Sequence, residues 1–370
     1  MKILVSGDFC PQHRVAKLFE EGDFSSVLGE VKPIVESADY AIVNFECPVT
    51  LGGEQPIEKM GPNLHCSEKG VEAIRWAGFD CVTLANNHFR DFGTDGVSNT
   101  LKSCKKHGLK TVGGGMNIAE ASLTLYEVIH GKTLAIINCC EHEFSIATEN
   151  TAGSNPLNLV QHYYAIQEAR QKADHVLVII HGGHEHYQLP SIRMQETYRF
   201  FIDAGADAVV NHHQHCFSGY EIYKGKPIFY GLGNFCFDKA KKMANRWYEG
   251  YMVTIDFGLT IDFIIHPYIQ CHKEPCVQIL TRNAYAESIE KLNNIIVHQK
   301  ILRKRQDEFY LHEAVKYKQL LEPFNNRFLL ALQRRKLLPS FITKRRKLMA
   351  IDFIVCESHR DRLIFHLNRT

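Results

Sequence analysis

No apolar run in this chain reaches the roughly 18 residues that a membrane-spanning helix needs, and Met1-Lys2-Ile3-Leu4-Val5 yields to Ser6-Gly7-Asp8 too early for a secretory leader. A cytoplasmic protein with no transmembrane segment is the expectation. The twelve cysteines form no CxxC pair and keep no regular spacing. That argues against a zinc knuckle or a disulfide framework and for reduced, mostly buried thiols, Cys139-Cys140 included. Neither GxxxxGK nor GxGxxG occurs; Gly113-Gly114-Gly115 is glycine-rich but lacks the phosphate-cradling spacing, so nucleotide binding has little support.

Net charge is also scarce, +2 overall, but the balance is uneven. Residues 286–370 carry 18 Lys/Arg against 9 Asp/Glu, a balance of +9 that leaves −7 for residues 1–285. Pro267, Pro275 and Cys271-His272-Lys273-Glu274 interrupt the strand pattern where the composition changes. With 370 residues and 45% hydrophobic content there is material for a large core. Residues 1–270 are expected to form an α/β domain, and residues 271–370 a basic, mostly helical C-terminal extension. Helical spacing continues there through Ile289, Leu292 and Ile296, then Phe309–Leu321 and Phe324–Leu332. Arg334-Arg335-Lys336 and Lys344-Arg345-Arg346-Lys347 read first as solvated helix ends, with docking on an acidic polymer, nucleic acid or membrane surface as the alternative.

What the chain has in quantity is histidine at the ends of apolar runs. Six of its twenty histidines fall in His181-Gly182-Gly183-His184-Glu185-His186 and Asn211-His212-His213-Gln214-His215, each just after a β-like stretch. Earlier strands end the same way in other donors: Lys2–Ser6 leads to Asp8, Ala38–Val43 to Asn44-Phe45-Glu46, and Asp80–Leu84 to Ala85-Asn86-Asn87-His88. Helices are expected at Val27–Ser37, Ser67–Ala77, Gly93–His107, from Asn155-Pro156 onward, and through Met194–Ile202, several of them stopped by a glycine. Repeated helix-to-strand units imply a sheet whose strand ends share one rim, where α/β folds bind ligands. Ile228–Tyr230, Gly231–Phe235 and Tyr251–Phe257 read as antiparallel strands of a second sheet.

A lone surface histidine or a capping Asp8 would need no explanation, but carboxylates, an amide and imidazoles together form an oxygen and nitrogen donor set. Such a set suits one or two divalent ions of Mn, Zn, Fe or Mg. Two ions need a shared carboxylate, for which Glu46 is the candidate.

These blocks, together with Asp91, Gly93 and Tyr230-Gly231-Leu232-Gly233-Asn234-Phe235, resemble over residues 1–240 the CapA/PgsA-type proteins of capsule and poly-γ-glutamate synthesis, a branch of the calcineurin-like metallophosphatases. The resemblance implies a four-layer αββα sandwich with Asp8, Glu46, Asn87, His181, His213 and His215 as metal ligands. His88 is implied as the catalytic acid, with Glu185 orienting His181 or a metal-bound water. Arg14, Asn86, His184, His186, His212 and Asn234 are candidates for substrate contact. The chain departs from the wider superfamily in its first motif, where Asp8-Phe9-Cys10 stands for Asp-x-His; Cys10 reads as packing, and His13 follows three residues on. The function implied is a metal-dependent, phosphoesterase-like hydrolase acting on an anionic polymer or phosphorylated small molecule, in company with capsule synthesis machinery. The alternative is a non-catalytic assembly or polymer-binding component. A nuclease draws only on the basic tail and on the superfamily, and nucleic acid is not the expected partner.

Overall fold

The computed structural model describes residues 1–320, 326–339, 341–355 and 359. In chain order the strands are β1 (Lys2–Phe9), β2 (Tyr40–Phe45), β3 (Cys81–Thr83), β4 (Lys110–Val112) and the short β5 (Gly114–Gly115). Next come β6 (Leu125–Ile129), β7 (Lys132–Cys140), β8 (Gly153–Ser154), β9 (His175–His181) and β10 (Ala208–His212). The last are β11 (Tyr220–Tyr223), β12 (Lys226–Phe229), β13 (Asn234–Cys236), β14 (Glu249–Phe257), β15 (Ile261–Gln270) and β16 (Val277–Ile279).

Two large sheets result, ordered β16-β15-β14-β1-β2-β3-β4, with β13 also on β1, and β11-β12-β10-β9-β7-β6. Alternation along each strand decides what faces what, because successive side chains point to opposite faces. Ile3, Val5 and Ile42 of the first sheet meet Ile136, Leu177, Ile179 and Val210 of the second in a core between them. Leu4, Val43 and Val82 face the other way, toward helices His13–Glu20 and Glu68–Trp76. Val176, Val178 and Ile180 likewise face helices Leu159–Lys172 and Ile192–Asp203. The four layers are therefore helix, sheet, sheet, helix, and strands covered on both faces read as continuous apolar runs for that reason.

The late strands do not make a sheet of their own. β14 pairs antiparallel with β1 in the first sheet and β12 lies parallel to β10 in the second; the donor-bearing strands β1, β2 and β3 belong to the first and β9 and β10 to the second. Apolar pattern marks a strand without naming its neighbour, which depends on register with distant segments. Helix Leu159–Lys172 starts later than Asn155-Pro156 suggests: Asn158 caps it, accepting from the Val160 and Gln161 amides, while Asn155 Nδ2 donates to the Asn138 carbonyl. The single helix expected over Val27–Ser37 is two short ones, Phe24–Leu28 and Lys32–Glu36, the second with Pro33 in its first turn.

Chain compactness divides the molecule into Met1–Arg303 and Lys304–Thr370, so the boundary falls later than residue 270. The physical reason is burial: β16 completes the first sheet, and helix Ala286–Val297 sinks Ile289 and Ile296 into the cores of the body. The second unit contains helices Arg327–Arg334 and Lys344–Val355, with exposed basic side chains at 334–336 and 344–347. Leu321 and Phe324 lie outside the described residues. Among the described residues no helix is long and apolar enough to cross a membrane, and every cysteine is free, all but Cys276 buried.

Candidate metal centre

Five strand ends from the two sheets converge at one end of the sandwich. β1 delivers Asp8 through Gly7, where a side chain is impossible: a Cβ would lie 1.9 Å from the Gly233 carbonyl oxygen, the acceptor of the Asp8 amide at 3.1 Å. β2 ends at Glu46, whose amide donates to the Phe9 carbonyl at 3.0 Å. The turn after β3 presents Asn87 and His88, β9 ends on His181, and the segment after β10 carries His213 and His215 with φ of +95° and +54°. Left-handed backbone at non-glycine residues is costly and gathers where function holds it in place.

Two triads of ligand atoms form within 4.8 Å: Glu46 with His181 and His213, and Asp8 with Glu46 and His215, all buried. Glu46 Oε1 lies 3.6 Å from His181 Nε2 and 3.6 Å from His215 Nε2. Asn87 Oδ1 lies 3.0 Å from His181 Nε2, and His213 Nδ1 approaches the same nitrogen at 3.0 Å. His215 Nδ1 is 3.5 Å from Asp8 Oδ2. All six ligands expected from the resemblance thus sit together.

The electrostatics fit a cationic occupant. Both oxygens of Glu46 are buried and accept no hydrogen bond, which is costly for a carboxylate left to itself. Burial, then the Asp8 carboxylate, push the Glu46 pKa well above its ordinary range. Burial also acts on Asp8, but His215, His212 and the Asn44 amide outweigh it and hold that carboxylate low. Burial, reinforced by neighbouring histidines, keeps His181 far below the usual imidazole range and His213 at about 4. Neutral imidazoles and an unpaired carboxylate are what a divalent ion needs.

Residues 2–239 match the family described as bacterial capsule synthesis protein PGA_cap. The chain belongs to that family. It is 34% identical over 242 residues to the capsule biosynthesis protein CapA of Bacillus anthracis, covering 63% of this chain and 59% of that protein. With the PGA biosynthesis protein CapA of Bacillus subtilis it shares 33% over 237 residues, 63% and 62% of the two chains. The chain therefore spans about three fifths of the length of these curated relatives. A 5'-nucleotidase precursor from Thermus thermophilus overlays at a TM-score of 0.45 and 12% identity, covering 79% of this chain and 57% of that one.

In this member of the family, His88 lies beside the triads. Its Nδ1 is 2.6 Å from Asp91 Oδ2, and Asp91 is in turn held by the Leu64 amide and by the buried ammonium of Lys59, itself 3.1 Å from His88 Nδ1. Burial lowers the His88 pKa, and Asp91 opposes that. Neither Lys59 nor Asn44 stood out in the sequence. Asn44 Nδ2 donates to Asp8 Oδ1 at 2.8 Å and lies 3.2 Å from His181 Nδ1, so it ties the two sheets' ligands together. Its signal was the polar residue opening Asn44-Phe45-Glu46; Lys59 sits in a loop with no pattern to mark it.

Most of the expected substrate contacts are occupied elsewhere. Asn86 donates to the Phe45 carbonyl and accepts from the His88 amide, shaping the loop. His212 Nε2 reaches the Ser6 carbonyl at 2.9 Å, a bond between the two sheets. Asn234 Oδ1 lies 2.9 Å from His215 Nδ1 and orients that ring. Arg14 forks onto Asp238 and also donates to the Cys271 and Lys273 carbonyls, leaving little of its guanidinium for a substrate. His184 is half-buried near Glu141 and Arg193. His186 is exposed, its ring against His215 and Trp247, and it alone of the six lies open beside the ligands. Glu185 is exposed, a carboxylate oxygen 4.0 Å from His186 Nε2; partial burial opposes its charge, but His215 and His213 hold its pKa low. Cys10 is buried among core residues, with Gln12 Nε2 at 3.4 Å from its sulfur.

Proposed function

We propose that this protein is a metal-dependent hydrolase of phosphoester-like bonds, acting on an anionic polymer or a phosphorylated precursor in capsule production. One observation carries the reading: Glu46, with both oxygens buried and unbonded, is the vertex common to both triads. A carboxylate so placed suits two divalent ions, held on one side by Asp8 and His215 and on the other by Asn87, His181 and His213. Such ions, when bound, activate water and polarise a phosphoryl oxygen. Asn44 and Asn234 orient the ligands. Asp91 takes the Nδ1–H of His88, leaving Nε2 as the nitrogen that passes a proton to the leaving oxygen. Buried strand ends keep this proton transfer out of bulk water. Glu185 and His186 lie at the exposed side, where a substrate would enter.

The test is elemental analysis after reconstitution with Mn, Zn, Fe or Mg, followed by turnover of aryl phosphate mono- and diesters. Bound metal with metal-dependent turnover is expected. Metal at background after every reconstitution would remove the proposal; bound metal without turnover of any ester would favour an assembly component.

A further inference from the structure

Beside the candidate metal centre lies a cleft of about 810 Å³ whose lining is rich in cations. Lys17, Lys239, Lys241, Lys242 and Lys273 all contribute to it. The acidic side chain in the lining is Asp238, which is buried and already neutralised by the Arg14 fork. Among the described residues, no ion pair joins any of these five lysines to a carboxylate. Positive charge concentrated in a low-dielectric concavity focuses the field and draws anions.

The cleft is tied to the metal ligands through two aromatic rings. Lys239 Nζ lies 4.4 Å from the Phe237 ring and 4.8 Å from Trp247. Those rings pack against His215 at 5.4 and 5.0 Å. The wall is built rather than fortuitous: Arg14 bonds to Asp238, Cys271 and Lys273 clamp the start of helix His13–Glu20 onto two distant loops. Phe237, Trp247 and Tyr248 are buried, so they offer no open platform for stacking nucleobases. Ammonium groups on flexible stems, without a free guanidinium fork, suit charges strung along a pliant chain.

We propose that this cleft is a binding site for a base-free, flexible polyanion, a chain of carboxylates or phosphates, which it leads toward the metal centre. The delivery role rests on the hydrolase reading; the binding does not, and binding is what the experiment reads. Fluorescence anisotropy with a labelled oligoglutamate peptide, with inorganic polyphosphate as the second arm, is followed across a salt series on the full chain. The cleft variant is Lys17→Ala, Lys241→Ala, Lys242→Ala and Lys273→Ala, all exposed positions. It should weaken binding at least about tenfold at low salt and flatten the slope of log K against log salt by about two to three, as lost charge contacts demand. Its metal content should match the parent's, which separates loss of the cleft from loss of the metal centre. A tail variant, Lys344→Ala, Arg345→Ala, Arg346→Ala and Lys347→Ala, should bind as the parent does. Preference for one probe identifies the chain as carboxylate or phosphate. The proposal falls if neither probe binds, if the tail variant and not the cleft variant loses binding, or if single-stranded DNA binds the cleft more tightly than both probes.

Discussion

Replacing Glu46 by Gln keeps the shape of the side chain and removes its charge, and the result should depend on metal in opposite directions. In the metal-free protein the Glu46 pKa is raised by burial and by Asp8. A carboxyl raised in the folded state contributes fully below its unfolded value, near 4.5, and that contribution is lost as pH climbs through the folded value. Gln suffers no such loss, so metal-free Glu46→Gln should be at least as stable as the parent at neutral pH. With metal the order reverses. A site filled at a hundredfold excess over Kd adds about 2.7 kcal/mol, so two sites add about 5 kcal/mol. At about 2 °C per kcal/mol for a body of this size, the parent should melt about 10 °C higher with metal. Loss of the shared carboxylate weakens both sites, and less than half that rise should survive. Differential scanning calorimetry with chelator and with added metal, paired with elemental analysis, makes the measurement. A Glu46→Gln protein that keeps the parent's metal content and its full metal-induced rise refutes the shared-vertex reasoning.

His88→Ala should retain metal yet lose about 10²- to 10⁴-fold in ester turnover, since it removes a proton donor and not a ligand; unchanged turnover would dismiss that role. His162, buried with Nε2 unbonded and its pKa pushed down to about 4 by burial, contributes stability that is whole above the unfolded value of 6.5 and lost as pH falls through about 4. His162→Phe should flatten acid destabilisation by about 3 kcal/mol in urea titrations at neutral pH and pH 4, and an unaltered pH dependence would count against it. Gly7→Ala would force a Cβ against the Gly233 carbonyl. A loss of about 3 kcal/mol in chemical denaturation is expected from such overpacking, and a parental midpoint would show that the strands part at little cost.

Chain order and donor chemistry determined much of this protein. An apolar run closing in a carboxylate, amide or imidazole can be read without coordinates, because a strand buried on both faces reads as a continuous apolar run and the first polar donors mark its end. Asp8, Glu46, Asn87, His181, His213 and His215 were legible as strand-end donors in that way, and the structure brings them to one place; the ligand roles came from the resemblance and are part of the proposal. Tertiary structure decided which strands are neighbours. Strands β1, β2 and β3 bring their donors on one sheet and β9 and β10 on the other, while β14 returns from about 250 residues away to pair with β1, a partnership no local pattern encodes. It also decided which polar side chains are already occupied: His212 on Ser6, Asn234 on His215 and Arg14 on Asp238 resemble free contacts in sequence because their partners lie far along the chain. Lys59 and the lysines of the basic cleft are silent for the same reason. A charged residue in a loop has no periodicity, and only the fold brings Lys17, Lys241 and Lys273 to one concave surface.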